Sequence, residues 1–192
     1  MKLFLIPYII VILLAIIITV EYFYESGYSM ISNNSSNYYY VKAYDYQWPV
    51  IGYNTITSEF GNRQAPTKGS STYHTGIDIA APSGANIVSS IKGYISFVGF
   101  SGAGGHTIKV KKDNIEVIYC HVDSAYYPFL GKYVDQGEVI GRVGPKNIYD
   151  VTNNPYKDSK GNPTNGATTG SHLHFSIKIN NSFVNPLNIM NE

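Results

Sequence analysis

The chain has 192 residues, enough for one ordinary domain with appended segments, and its 44% content of hydrophobic residues is typical of a globular fold. The formal net charge is +1 and 14% of the residues are charged, so the composition lacks the strongly basic balance typical of nucleic-acid-binding proteins. We therefore expect no nucleic-acid partner.

The N-terminal segment is the first element along the chain. After Met1 and Lys2, residues 3–20 read LFLIPYIIVILLAIIITV and carry no charge. A membrane-spanning helix needs about 20 apolar residues, whereas a cleaved signal has an apolar core of about 7–15 before a site of small residues. No such site follows, so we interpret residues 1–22 as a single-pass transmembrane anchor, with a cleaved signal peptide as the alternative. Lys2 and the glutamates beyond the span predict a cytoplasmic N-terminus in the cell membrane and an extracytoplasmic remainder.

The rest of the chain divides into a linker and a domain. Residues 23–47 are rich in Asn, Ser and Tyr without an apolar period, which predicts a polar stalk. Residues 48–192 consist of short alternating segments separated by Gly, Pro and Asn turns, and no helical period extends over three turns. Asp113–Asn114 and Asn180–Asn181 are candidate hairpin turns. The pattern predicts a mostly β domain built on an antiparallel sheet.

Two histidines open the segment HLHFSIKI, residues 172–179. Side chains two residues apart point to the same face of a strand, so His172 and His174 share one face. Phe175 and Ile177 turn to the other face, which we expect to be the core. The histidine pair then lies on the functional face of the sheet.

The segment HTGIDIAAP offers a second set of ligands, because His74 and Asp78 lie on the polar face of a predicted strand. Four steps of extended strand span about 13 Å, which is long for two ligands of one ion. Gly76 offers a bend that would shorten this distance. Histidine and aspartate side chains on separate strands indicate a metal site.

The segment IYCHV, residues 118–122, contains a third histidine and the single cysteine of the chain. The same alternation predicts Tyr119 and His121 on the polar face, and Ile118 and Cys120 on the core face. One cysteine cannot form an internal disulfide. We favour a buried, unreactive Cys120, with a reactive thiol as the alternative.

Three further polar residues have open or minor roles. His106 follows a glycine turn and is expected to be a loop histidine rather than a substrate contact. Asp123 either orients an imidazole from outside the metal shell or is an exposed turn carboxylate. Arg63 serves either the structure or substrate binding.

The motifs SEFGNR, HTGIDIAAPSGANI, IYCHVD, GKYVDQGEVIG and TTGSHLHFSI, in this order, resemble those of the lysostaphin-type zinc metallopeptidases that cut peptidoglycan. The resemblance covers roughly residues 48–188 and implies an antiparallel β-sheet peptidase domain with an open groove. It implies that His74, Asp78 and His174 hold one Zn²⁺ per chain. It also implies that His121 and His172 act in catalysis.

The chain departs from this family pattern mainly at residues 147–170. This polar segment is much longer than the short Gly/Thr turn that usually precedes the H-x-H motif, and we expect it at the groove wall. Val122 after His121 and Ser171 before His172 are smaller departures. They leave the expected metal ligands unchanged.

The chemistry of the residues agrees with the resemblance. Two imidazoles and one carboxylate leave the fourth position of a tetrahedral Zn²⁺ for water, as in catalytic zinc sites. We therefore expect a membrane-anchored extracytoplasmic zinc metalloendopeptidase that hydrolyses peptide bonds of peptidoglycan stems or cross-bridges, with other cell-envelope proteins as candidate partners. The alternative is a catalytically silent scaffold of the same fold that binds the cell wall or regulates a hydrolase. A structural metal in a β adhesion module is a third hypothesis.

Overall fold

The computed structural model of the protein describes residues 12–17, 28–32, 38–42, 46–67 and 69–190. The chain divides into two compact units, Met1–Tyr44 and Asp45–Glu192. In the first unit, residues 12–17 are helical, and strand β1 (Tyr28–Ser32) pairs antiparallel with β2 (Tyr38–Lys42).

The predicted anchor, residues 1–22, lies outside the described residues except for positions 12–17. No helix within the described part of the chain has the length and apolar character needed to span a membrane. Strands β1 and β2 fall within the predicted stalk, residues 23–47. The segment thus pairs its main chain locally where the sequence predicts only a linker, in keeping with the high strand propensity of its tyrosines.

The described residues of the second unit form twelve short strands and include few helical residues. The strands are β3 (Ile56–Ser58), β4 (Gly61–Asn62), β5 (Tyr73–His74), β6 (Ile77–Ala80), β7 (Asn86–Val88), β8 (Gly93–Phe100), β9 (His106–Lys112), β10 (Ile115–Cys120), β11 (Tyr133–Val134), β12 (Val139–Arg142), β13 (His172–Ile179) and β14 (Ser182–Val184). The helical residues form 3₁₀ turns at Gly102–Gly104 and Ser124–Tyr126 and a short α-helix at Leu187–Met190.

The principal sheet has eight strands in the order β11-β8-β9-β10-β13-β6-β3, with β14 pairing to β13. Two smaller sheets pair β12 with β7 and β4 with β5. Each of these strand pairs is antiparallel. The prediction of a mostly β, antiparallel domain is therefore confirmed.

Hairpin turns connect the longest strands of the sheet. Asp113, between β9 and β10, has φ 53°, and Asn180 and Asn181, between β13 and β14, have φ 51° and 64°. Asn and Asp tolerate this left-handed region better than other non-glycine residues, because their short polar side chains bond locally. Both predicted turns are confirmed, and they fix the register of β9, β10, β13 and β14.

One face of the sheet packs into the core. Ile108, Tyr119, Phe175 and Ile77 lie opposite one another across four neighbouring strands, and all are fully buried. The rings of Tyr119 and Phe175 have centroids 5.5 Å apart. The Tyr119 hydroxyl accepts a hydrogen bond of 2.7 Å from the backbone N–H of Ser90, so its polar end is satisfied inside the core.

The position of Tyr119 corrects the prediction for β10. The sequence alternation placed Tyr119 on the polar face and Cys120 on the core face, whereas the structure has them the other way round. Because β10 pairs with β13 and opposes Tyr119 to Phe175, Tyr119 must share the core face that Phe175 occupies. Cys120 is buried as predicted, but on the opposite face of the sheet.

Candidate active site

The polar face of the sheet is the floor of a groove with a volume of about 540 Å³. The strand register arranges the floor in rows across the strands. The first floor row consists of Thr107, Cys120, His174 and Asp78, and the second consists of Lys109, Ile118 and Ser176. Residues of the segments 57–58, 63–75, 101–104 and 167–172, together with His121, Lys178 and Phe183, complete the lining.

Three ligand-type side chains meet at one end of the first floor row. His74 Nε2 and His174 Nδ1 lie 2.8 Å apart, and Asp78 Oδ1 lies 3.1 Å from the first and 2.9 Å from the second. The bend at residues 75–76 between β5 and β6 brings His74 and Asp78 together. Donor atoms this close to one another can all bond one ion at the 2.0–2.2 Å typical of zinc.

The second ring nitrogen of each histidine is held by the protein. His74 Nδ1 donates to the main-chain oxygen of Glu59 at 2.8 Å, which leaves Nε2 unprotonated towards the cluster. His174 Nε2 lies 2.8 Å from the Ser176 hydroxyl, which leaves Nδ1 for the cluster. Such outer partners orient metal-binding imidazoles and fix their tautomers. Both rings are therefore set up to offer a lone pair to the same point.

Asp78 has a comparable outer partner in Arg63, whose Nη1 donates to Asp78 Oδ2 at 3.1 Å and to Ser58 Oγ at 2.5 Å. Oδ1 thus remains free to face the two histidines. Burial raises the pKa of the Asp78 carboxyl, but the surrounding histidines, when they carry a proton towards Asp78, lower it by more through hydrogen bonds. The net pKa lies far below its ordinary value, so Asp78 is an anionic ligand. The open question about Arg63 is answered in favour of orienting this carboxylate.

We expect Arg63→Met to weaken the affinity of the cluster for Zn²⁺ by about 10- to 100-fold, the usual cost of removing an outer partner. Competition with a chromophoric chelator would measure the affinity. Arg142→Met is the matched control, because the Arg142 guanidinium lies over the Tyr126 ring at 4.2 Å and is absent from the groove lining. Equal affinities of the two variants would contradict the role of Arg63.

His121 reaches the groove by an irregular backbone conformation. Strand β10 ends at Cys120, and His121 has φ 60°, in the left-handed region. Two main-chain hydrogen bonds hold it there: its N–H donates to Gly104 O at 2.9 Å, and its carbonyl accepts from Gly144 N at 2.8 Å. This turn breaks the two-residue alternation, so Cys120 and His121 both face the groove.

The ring of His121 is neutral and has a defined tautomer. Burial, and to a smaller extent the neighbouring His172 and His174, lowers the pKa of His121 to about 3. Nδ1 lies 2.6 Å from the main-chain oxygen of Asn165. Because a carbonyl oxygen only accepts, Nδ1 carries the proton and Nε2 is left as an acceptor.

His172 lies between His121 and the ligand cluster. The ring centroids of His172 and His121 are 4.7 Å apart, and His172 Nε2 lies 3.5 Å from Asp78 Oδ1. His172 Nδ1 donates to the main-chain oxygen of Gly170 at 2.9 Å. The five residues that the resemblance implies as ligands or catalytic groups therefore lie together in the groove.

The other polar residues of the sequence analysis lie elsewhere. His106 begins β9 and is buried, with Nδ1 2.7 Å from the Tyr127 hydroxyl and Nε2 3.0 Å from Asp150 Oδ2, so the prediction of a loop histidine is wrong. Asp123 accepts from Ala125 N at 3.0 Å and caps a 3₁₀ turn, which favours the turn carboxylate.

Cys120 lies on the groove floor beside the cluster. Burial raises the pKa of its thiol to about 11, although a hydrogen bond from Thr107 opposes the rise. The thiol is therefore protonated near neutral pH. A neutral buried thiol is a poor nucleophile, so the reactive-thiol alternative is not supported.

A comparison with protein families identifies the family to which the chain belongs. The family model described as Peptidase family M23 matches residues 72–186, which include both histidine motifs and the segment around His121. The chain belongs to peptidase family M23. The resemblance identified from the sequence is thereby confirmed.

Relatives of this M23 chain agree with the assignment. Over 138 residues it is 36% identical to the DD-carboxypeptidase/endopeptidase Mpg of Neisseria meningitidis serogroup B, an alignment that covers 71% of this chain and 27% of the relative. The chain thus corresponds to about a quarter of that protein's length. Mpg carries both a carboxypeptidase and an endopeptidase description.

Solved structures show the same fold. Helicobacter pylori Csd3 matches with a TM-score of 0.60 at 26% identity, covering 86% of this chain and 40% of Csd3. The catalytic domain of the antimicrobial peptidase lysostaphin from Staphylococcus simulans matches with a TM-score of 0.56 at 22% identity, covering 73% and 93% respectively. The M23 chain therefore has a lysostaphin-like fold.

Two groups at the site were not found from the M23 sequence. Ser176 lies two residues beyond His174 in β13, so the alternation that paired the histidines already put its hydroxyl on the same face. Asn165 lies in the unusually long segment 147–170, and no local pattern connects it with His121. Only the tertiary structure reveals that contact.

Proposed function

We propose that this M23 chain is a zinc metalloendopeptidase that hydrolyses peptide bonds in the stems or cross-bridges of peptidoglycan. The observation that carries the proposal is the cluster of His74, Asp78 and His174, whose ligand atoms lie within 4.8 Å of one another on the floor of an open groove. His121 and His172 lie beside it. The name of the Neisseria relative, a carboxypeptidase and endopeptidase, supports the reaction class.

The residues of the cluster fit a catalytic zinc ion. They supply two neutral imidazole nitrogens and one carboxylate oxygen, the donor set of a site with an open position. Each donor is oriented by a separate outer partner: Glu59 O, Ser176 or Arg63. When bound, zinc lowers the pKa of a water molecule to about 7 and polarises the scissile carbonyl.

The other two histidines of the groove, His121 and His172, transfer protons in this proposal. Nε2 of His121 has a free lone pair because its proton is on Nδ1, so it can accept a proton in the groove. His172 has its Nδ1 proton bonded to Gly170 O, which aims its Nε2 towards Asp78 and the reacting centre. Once Nε2 also carries a proton, the His172 ring is an imidazolium, and in that form Nε2 can donate to the developing oxyanion or to the leaving amine.

We also propose that residues 1–22 anchor the protein in the cell membrane, that residues 23–47 form a stalk, and that the domain of residues 48–192 acts outside the cytoplasmic membrane. The uncharged apolar run of residues 3–20 supports this arrangement. A groove held on that side of the membrane would have access to peptidoglycan and to other cell-envelope proteins.

Hydrolysis of purified peptidoglycan tests the proposed reaction. The zinc-loaded protein is expected to release soluble peptides, a chelator to stop the release, and added zinc to restore it, because the metal activates the attacking water. Mass spectrometry of the released peptides would identify the bond that is cut. A protein that bound both zinc and peptidoglycan without releasing peptides would instead support the silent scaffold.

A further inference from the structure

We propose that Asn165 is a positioning residue for His121, and that the long segment 147–170 therefore contributes to catalysis by fixing one imidazole. This inference rests on the proposed function, because it gives His121 the proton-transfer role stated above. The segment extends from Asn147 to Gly170, immediately before the histidine pair of β13. We call it the 147–170 insertion.

The first argument is the direct contact. The main-chain oxygen of Asn165 accepts the Nδ1 proton of His121 at 2.6 Å, and both residues are buried. This is a short hydrogen bond, and it selects the tautomer whose Nε2 lone pair is free. His121 is exposed to solvent over only 6% of its surface, so no water shell offers an easy replacement partner.

The second argument is that the side chain of Asn165 fixes its own carbonyl. Asn165 Oδ1 accepts from His106 N at 2.7 Å, and Asn165 Nδ2 donates to Val122 O at 3.0 Å. One amide thus joins the start of β9 to the residue directly after His121. An amide is needed at this position, because one of its partners is a donor and the other an acceptor.

The third argument is the space around Asn165. A Cβ added at Gly105 would lie 2.3 Å from Asn165 O and Oδ1, and one added at Gly144 would lie 2.7 Å from Asn165 Nδ2. The Cβ of a residue at 166 would lie 2.3 Å from Gly105 N. Glycines at these three places let the insertion approach the backbone closely enough to reach His121.

The fourth argument is a second attachment of the insertion to the same part of the sheet. Asp150, near the start of the insertion, pairs with the ring of His106, whose backbone N–H is bonded by Asn165. Further along, Ala167 N donates to Ala103 O at 2.8 Å. The insertion is held on both sides of Asn165, so its carbonyl has a fixed position relative to His121.

The test compares two asparagines of the insertion. Asn165→Asp keeps the size of the side chain but replaces the Nδ2 donor with an oxygen facing Val122 O. Asn154→Asp is the matched control, because Asn154 is also buried and donates to Thr164 O at 2.8 Å, but has no bond to His121. We expect Asn165→Asp to lower kcat on peptidoglycan peptides by about 10- to 100-fold with KM and zinc content unchanged. Asn154→Asp should leave kcat unchanged even if it lowers the melting temperature.

A double variant shows whether Asn165 acts through His121. In a His121→Asn background, adding Asn165→Asp should produce no further loss of kcat, because residues that act as a unit are not additive. A further loss of tenfold or more would overturn the proposal. Equal losses of kcat in the two single asparagine variants would also overturn it, because they would indicate a general structural role.

A measurement on the unaltered full-length protein keeps the proposal testable if Asn165→Asp fails to fold. Nitrogen-15 NMR of labelled histidines in the zinc-loaded protein should show His121 protonated on Nδ1 and not on Nε2. The opposite tautomer would overturn the proposal. This measurement does not depend on hydrolysis. A protein that cuts no peptidoglycan would refute the proposed function, but the tautomer of His121 would still show whether Asn165 holds its Nδ1 proton.

Discussion

Replacing His174 with alanine is expected to leave a folded protein that has lost its zinc and its hydrolytic activity together. His174 Nδ1 lies within 3 Å of both other ligand atoms, so its loss leaves two donors where three converge. The affinity should fall by more than the roughly 10- to 100-fold that an outer partner contributes. Atomic absorption after gel filtration would measure the zinc content, and peptide release would measure the activity.

Thermal unfolding gives an independent check of the same variant. A ligand that binds only the native state raises its stability, so chelator should lower the melting temperature of the wild-type protein. The His174→Ala protein should show no response to chelator. His106→Gln is a suitable control, because His106 is a buried histidine that contacts Tyr127 and Asp150 rather than the cluster. A His174→Ala protein that retained stoichiometric zinc would refute the ligand set.

Substitution of His121 or His172 is also expected to abolish hydrolysis, but these variants should keep their zinc. Positioned proton-transfer groups contribute about 10²- to 10⁴-fold to rate, so kcat should fall by that factor. His121→Asn is preferable to alanine, because residue 121 has φ 60° and asparagine tolerates the left-handed region. His172→Ala tests the second position.

His172 provides the sharper test of the division into ligands and proton-transfer groups. Its Nε2 is 3.5 Å from Asp78 Oδ1, close enough that a ligand role is geometrically conceivable. We assign His174 as the ligand because its Nδ1 lies closer, at 2.9 Å, and because Ser176 orients it. If the His172→Ala protein lost zinc and the His174→Ala protein kept it, the two roles would have to be exchanged.

The alternation of residues along β13 predicted its faces correctly. Leu173, Phe175 and Ile177 are fully buried, and His172 and His174 lie on the groove side. The rule succeeded because β13 is regular over its eight residues. The fold class and the family could likewise be read from the strand patterns and the order of the motifs.

The same rule failed at the end of β10, where it was extended to His121, for a physical reason. Residue 121 leaves the strand with φ 60°, and the bonds that hold it come from Gly104 and Gly144, far away in the sequence. Histidine adopts the left-handed region more often than most non-glycine residues, but such cases are still uncommon. The sequence therefore did not indicate this conformation, and the face of Tyr119 was predicted wrongly. The link between Asn165 and His121 was also invisible, since it depends on a tertiary contact across 44 residues. The anchor, the stalk and the extracytoplasmic location stay predictions.

The floor rows have a consequence for the shape of a bound peptide. Successive rows are two residues apart along each strand, or about 6.8 Å, which is also the repeat of side chains on one side of a fully extended peptide. The side-chain repeat of an extended peptide lying parallel to β10 and β13 would therefore match the spacing of the floor rows. Along β13, the side chain beneath such a ligand changes from the imidazole of His174 in the first floor row to the hydroxyl of Ser176 in the second. Every second residue of such a ligand would then face the floor of the groove.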